Sequence, residues 1–448
     1  MALLLLRRHF ASKPRSASTV PTLYPLDPSS ASACASPSAT FQLLSWGRGA
    51  SGQLGDPLER DLRPYPSAVA SLSLPLNSFF LSPTPGRLPS PPPSGEAQAQ
   101  APVHLGISCG LFHSAIVVDG KVWIWGKGDG GRLGFGDEVS QFVPRLNPTL
   151  EGIECVALGG LHSAAFSRSG EVFTWGYGGF GALGHSVYHR ELYPRRVDGS
   201  WNGKVSHLAT SGAHTAAVTD SGEVYTWSRD EGDGRLGLGA GGGPGEAGSM
   251  SIPSKVNALP VPVSAVACGG FFTMAITSDG KLWSWGANSN FELGRGNNMS
   301  DWRPKPVSIL QNTRIIQVAC GGYHSLALSD EGKVYAWGHG GQGQLGQLTM
   351  QNQRAPVVIE ALSVEKIVFI ACGGSSSAAV SDTGKLYMWG NARDSQLGVP
   401  QLQDIQPVPV EVKFLTDNDG MGPLRVISCA IGASHAMCLV SRQSLKWH

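Results

Sequence analysis

Charge is what this sequence has least of. Asp, Glu, Lys and Arg together make up 15% of its 448 residues, and 34 basic against 33 acidic residues almost cancel. Without the first 40 residues the balance is 30 basic against 32 acidic, a net charge of −2. That excludes the global basic field on which non-specific nucleic-acid binders depend, so any RNA contact must come from a local patch. No apolar run approaches the ~18–20 residues that a membrane-crossing helix needs, and membrane insertion is not expected. The eight cysteines form no Cys-x-x-Cys pair and have no His partner at zinc-ligand spacing. His-Glu-x-x-His and Gly-x-Ser-x-Gly are both missing, and no nucleophile stands beside a base. The expectation is a protein without metal or cofactor that is not an enzyme.

What the chain does have is 59 Gly and 12 Trp, with abundant Val and Tyr, a composition suited to short strands joined by tight turns. A Trp is followed eight or nine residues later by Leu-Gly at Trp46/Leu54, Trp125/Leu133, Trp175/Leu183, Trp227/Leu236, Trp285/Leu293, Trp337/Leu345 and Trp389/Leu397. The Trp-to-Trp spacings are 79, 50, 52, 58, 52 and 52. A second motif lies 12 or 13 residues before each Trp after the first, at His113, His162, His214, Phe272, His324 and Ser376. Between the two, Ser329-Asp330-Glu331-Gly332 and its equivalents read as hairpin turns. Lys333-Val334-Tyr335-Ala336-Trp337 alternates like a half-buried strand.

A period near 52 residues made of several short strands signals propeller blades or a β-solenoid. The two ends decide between them. Cys429–His435 carries a seventh His motif with no Trp-Gly strand after it, whereas Phe41–Gly47 is a Trp-Gly strand with no His motif before it. Pairing them completes a blade and removes two open sheet edges. The predicted fold is all-β: a seven-bladed β-propeller over residues 41–448, closed by its N- and C-terminal strands.

The repeated residues invite sharper readings that their periodicity argues against. Gly47-x-Gly49-x-x-Gly52 and its copies match a dinucleotide fingerprint, but four copies leading into Leu-Gly are tight turns rather than phosphate cradles. The histidines recur on separate blades, too far apart for one zinc ion, and Phe272 and Ser376 fill the same slot. They are expected to be buried imidazoles hydrogen-bonded to neighbouring backbone. Cys109, Cys268, Cys320 and Cys372 share a position and read as small buried strand residues.

Three segments fall outside the repeat. Met1–Val20 contains Leu, Arg, Ser and Ala, and the first acid is Asp27, which suits an organellar transit peptide. Arg8-His9-Phe10-Ala11-Ser12 resembles a mitochondrial matrix-protease site with cleavage after Phe10. Residues 1–40 are therefore expected to be a mitochondrial transit peptide and disordered linker, and the protein to reside in the matrix. Residues 63–102 hold ten prolines and read as a Pro-rich surface insertion whose trimming between 75 and 98 is tolerated. Residues 239–248 read as a Gly-rich loop.

Cys-Gly-Gly-Tyr-His-Ser (320–325), Gly-Lys-Val-Tyr-Ala-Trp-Gly (332–338) and Gly-Gln-Leu-Gly (343–346) resemble the repeat of the regulator of chromosome condensation family, seven copies of which cover Phe41 to Val440. This likeness is specific for fold and loose for function. The founding member is a guanine-nucleotide exchange factor for a nuclear small GTPase, and another member is a plant UV-B photoreceptor. Mitochondrial members are associated with organellar RNA, in plants with splicing of respiratory complex I transcripts. Photoreception needs grouped Gly-Trp-Arg-His-Thr segments, and Asp301-Trp302-Arg303 is the nearest, solitary fragment.

The resemblance thus implies a non-enzymatic mitochondrial scaffold for organellar transcript splicing, with mitochondrial RNA-processing proteins as partners and organellar RNA reached through a local patch. Nucleotide exchange on a small GTPase is the alternative, although no segment matches the exchange factor's wedge. Candidate binding-face residues are the loop arginines Arg132, Arg190, Arg229, Arg235, Arg295 and Arg303, which would form a basic crescent if they shared one face. Nearby Asp129, Asp230, Glu231 and Asp233 favour a solvated rim instead.

Overall fold

A computed structural model of the chain describes residues 22–24, 38–75, 79–89, 103–230, 232–239, 249–259, 262–414 and 424–441. Seven sheets, each built on four antiparallel strands, follow one another around a central axis, as the repeat spacing predicts. Blades I to VI run in chain order, and their inner strands are Val103–Cys109, Ile153–Leu158, Val205–Thr210, Val263–Cys268, Ile315–Cys320 and Ile367–Cys372. Blade VII takes its two inner strands, Arg425–Ile431 and His435–Ser441, from the C-terminus and the next two, Ser38–Arg48 and Leu62–Pro75, from the N-terminus. The seam runs in unbroken antiparallel register from Phe41↔Ser441 to Gly47↔His435.

Every blade follows one path. The inner strand climbs to a Gly-containing step, the second strand descends from the His motif to the hairpin turn, and the third climbs to the repeat Trp, which Gly follows in all blades but III. A loop ending in Leu-Gly then leads to the outer strand. This gives the ring a loop face, carrying the His, Trp-Gly and Leu-Gly motifs, and an opposite turn face. Gly126 sits at φ 108, where a Cβ would come within 2.6 Å of the Phe112 carbonyl, so the Trp-Gly step needs its glycine.

The Leu-Gly glycine answers to a different blade. A Cβ on Gly134 would lie 3.0 Å from Trp175 Nε1, and one on Gly237 would lie 2.7 Å from Trp285 Nε1. The Trp of each blade thus lies on the Leu-Gly turn of the blade before it. All seven repeat tryptophans are fully buried, and each withdraws ~150–250 Å² from water. The sequence period is therefore also the period of the blade-to-blade contact.

Two expectations change at the N-terminal side. Thr22–Tyr24 is a short parallel strand on Leu62–Pro75, and Ser38–Thr40 extends the seam strand, so parts of the expected linker belong to the sheet. The described residues of the Pro-rich insertion, 63–75 and 79–89, do not form a surface loop, and 76–78 and 90–102 lie outside the described residues. Leu62–Pro75 is the outer strand of blade VII, and residues 79–88 pass into the axial channel. The periodicity argument missed this because a segment that pairs with several different strands has no apolar period of its own. Residues 1–21, with the expected cleavage point, and 240–248 of the Gly-rich loop lie outside the described residues.

Candidate functional site

The repeated polar residues meet at the junctions between blades. Between blades I and II, the Arg132 carbonyl accepts from the Trp175 indole N–H (2.8 Å) and from the Ser163 hydroxyl (2.8 Å), while His113 Nε2 lies 2.9 Å from that hydroxyl. The same set recurs around the Ala182, Arg235, Gln344 and Gln53 carbonyls. It uses His162 with Thr215, His214 with Thr273, His324 with Ser377, and His435 with Ser114. A hydroxyl has one proton, and here the carbonyl takes it. The imidazole must therefore donate from Nε2, and the buried Nδ1 of His113, His324 and His435, which has no acceptor for a second proton, favours the neutral ring.

Burial supports that protonation state. It pushes the histidines below their usual range, to about 4 for His162 and about 3 for His324 and His435. The histidines are thus fasteners between blades, and their partner is the next blade's hydroxyl rather than the neighbouring backbone expected from the sequence. Two junctions are reduced. Phe272 leaves Ser325 bonded only to the Glu292 carbonyl, and Ser376, bonded to the Asn391 carbonyl, faces a blade with Ala436 in the hydroxyl slot.

The arginine crescent does not assemble. Arg132 and Arg235 are 3% and 2% exposed. Arg132 caps its own turn at the Asp129 carbonyl and reaches the Gly160 carbonyl of the next blade at 2.9 Å, and Arg235 is held by Asp233. The same position caps its turn in four other blades, where Gln53, Glu292, Gln344 and Gln396 accept from the backbone N–H two residues back, and only Ala182 has no polar side chain there. Arg295 is half-buried between Ser284 and Asp301. Arg190 is exposed but paired with Glu138. Arg229 and Arg303 are exposed, on different blades, at the end of one third strand and on an outer strand. The buried arginines cannot meet a phosphate, because their donors are already committed to protein acceptors.

The inner rim of the loop face offers another kind of surface. Phe271 and Tyr323 are 37% and 45% exposed at the position just before the His motif, and Leu111, one residue earlier in blade I, is 36% exposed. The Phe271 and Tyr323 rings lie 6.2 Å apart, with the Arg235 guanidinium 4.8 Å from the Phe271 ring. Blades VI and VII carry Ser375 and Ser434 there, so the rim is apolar on one arc and polar on the other.

No group of three or more His, Cys, Asp or Glu among the described residues is placed to hold a metal ion. Burial raises the thiols of Cys155 and Cys429 to about 12, leaving them inert in the folded ring.

Comparison with known proteins matches the description of this geometry. A family model described as the RCC1-like domain matches residues 42–438. The mitochondrial RCC1 domain-containing protein RUG3 of Arabidopsis thaliana is 61% identical over 406 residues, spanning 90% of this chain and 89% of its own. Human WBSCR16 shares the fold at a TM-score of 0.72 and 23% identity, with 89% of this chain and 98% of that one covered. Prp20p of Saccharomyces cerevisiae, studied for its binding to Gsp1p and histones, does so at 0.72 and 21%, with 90% and 92% covered. The blade junctions, the seam and these matches agree: the chain belongs to the RCC1-like domain family.

Proposed function

We propose that this protein is a non-enzymatic scaffold of the mitochondrial matrix that supports organellar RNA processing, with splicing of respiratory complex I transcripts as the step served. The observation that carries the reading is 61% identity, over nine-tenths of both chains, to a mitochondrial member of the family. The acid-free, Arg- and Ser-containing Met1–Val20 supports the location. Near-neutral charge and the burial of Arg132 and Arg235 favour protein partners over direct RNA binding. The apolar arc of Leu111, Phe271 and Tyr323 suits protein contact, since aromatic residues anchor interfaces. Loss of the protein is expected to leave complex I introns unspliced while other mitochondrial transcripts mature. Normal splicing of every organellar intron would refute the reading.

Exchange on a small GTPase is the second reading, supported by likeness of fold to Prp20p, which binds Gsp1p. Fluorescent-GDP release separates the two: acceleration by the purified protein favours exchange, and an unchanged rate favours the scaffold.

A further inference from the structure

At one inner-strand position all seven blades carry a different residue. Three residues before the strand end, the seven blades read Gly106, Cys155, His207, Ala265, Gln317, Phe369 and Ser428. Two residues further on they read Ser108, Ala157, Ala209, Ala267, Ala319, Ala371 and Ala430. The uniform level is what a ring needs to close. The irregular level needs another cause, and residues 79–88 lie against it.

This segment runs up beside the inner strand of blade I, with Leu81 opposite Leu105, and the Ser82 N–H bonds to the Leu105 carbonyl. It turns where the Arg87 N–H meets the Thr84 carbonyl, and it descends against blade V, where Val318 N–H donates to the Gly86 carbonyl and Leu88 N–H to that of Ile316. Pro83 and Pro85 fix φ on the way into the turn, and Gly86 has φ +73 with a Cβ position 2.0 Å from the Val318 oxygen.

The irregular residues fit it one by one. Gly106 leaves room for Ser82, the Cys155 thiol donates to the Pro83 carbonyl at 3.0 Å, and His207 Nε2 accepts from the Gly86 N–H at 3.0 Å. Gln317 Oε1 and the Val368 carbonyl accept from Arg87, whose guanidinium lies 5.4 Å from the Phe369 ring. Ser428 lines the small cavity beside Ser82 and Pro83. In blade IV, the contact comes from the Val266 carbonyl and Ala267 instead.

We propose that the axial channel is a binding site for a Pro-containing, Arg-bearing turn, filled by the chain's own residues 79–88, which lock the ring from inside. The lock is covalently continuous with the seam, since the outer strand of blade VII, Leu62–Pro75, leads into it. It bonds or packs to blades I to VI and shares a small cavity with Ser428 of blade VII. None of this depends on what the outer surfaces bind.

Gly106→Val tests it from the channel side in the otherwise unchanged protein. A Cβ on Gly106 would lie 2.6 Å from Ser82, so valine must expel the segment. Valine otherwise favours a strand interior over glycine, and with an unfilled channel Tm would hold or rise. The expected result is a Tm lower by ~3 °C or more. Mapped labelling should show Cys155 reacting ~10-fold faster or more with a thiol reagent, while Cys438 stays protected. An undiminished Tm with Cys155 still protected would overturn the proposal. As a second variant, residues 79–89 are replaced by an equal length of Gly-Ser. A wild-type Tm with Cys155 protected again overturns it, whereas a lowered Tm, an exposed Cys155 or failure to fold supports it, because a surface loop tolerates such replacement.

Discussion

His435 Nε2 lies 2.9 Å from the Ser114 hydroxyl, joining the last strand of the chain to the first complete blade. Ser114 passes its own proton to the Gln53 carbonyl at 2.8 Å, and the Trp125 indole meets the same oxygen at 3.0 Å. One junction therefore ties together residues from the C-terminus, blade I and the N-terminal loop, so the ring is closed by side chains as well as by the seam ladder.

Ser114→Ala removes both hydroxyl bonds and leaves His435 Nε2–H buried without an acceptor. The expected loss is about 1–3 kcal/mol, the cost of an unsatisfied buried donor. Urea unfolding of the purified protein measures it. Ala436→Ser should not give the mirror-image gain, because Ser376 rather than His stands in the preceding blade.

Acid should weaken the ring before carboxylates titrate. His113, His162, His207, His214, His324 and His435 are held neutral by burial, with values of about 4 for His162 and His207 and about 3 for His324 and His435. Unfolded histidines take up a proton near pH 6.5, so between there and the depressed folded values the unfolded chain binds more protons. The stabilisation is complete above pH 6.5 and is lost as pH falls towards 4, at up to about 1.4 kcal/mol per pH unit for each group. The urea midpoint at pH 5.0 should lie well below that at pH 7.5. Equal midpoints would contradict the neutral relay.

Arg132→Ala should act on stability. It frees the Gly160 and Asp129 carbonyls at a blade junction, and a loss of about 1–3 kcal/mol is expected from thermal or urea melts. Arg303→Ala, exposed on an outer strand, should stay within about 0.5 kcal/mol of wild type.

Deleting residues 425–448 removes the two inner strands of blade VII and leaves the strand Ser38–Arg48 paired only with Leu62–Pro75. The truncated chain should lose its cooperative melt and aggregate, since the seam edge of Ser38–Arg48 becomes open. Size-exclusion chromatography alongside calorimetry reads both effects.

Seven blades and their seam were legible because Trp46, Phe41–Gly47 and the His435 motif each lacked a half that the other end supplied. The inter-blade meaning of Leu-Gly was not, since only the fold shows that Gly134 lies beneath Trp175. Arg132 and Arg235 misled for a similar reason. A charged residue in a Gly-rich loop reads as exposed until one sees which carbonyls capture its donors. The channel segment was hidden by its prolines, yet two signals stood in the sequence: the apolar triplet Phe79-Phe80-Leu81 inside the insertion, and the single inner-strand position where all seven repeats differ.

The most direct test of the scaffold reading is affinity purification of the tagged protein from isolated mitochondria, with and without RNase. The account predicts that transcript-processing proteins are recovered equally after RNase, and that an exposed-rim double variant, Phe271→Ser with Tyr323→Ser, lowers their recovery while Tm stays near wild type. Recovery abolished by RNase, or no transcript-processing protein recovered at all, would contradict it.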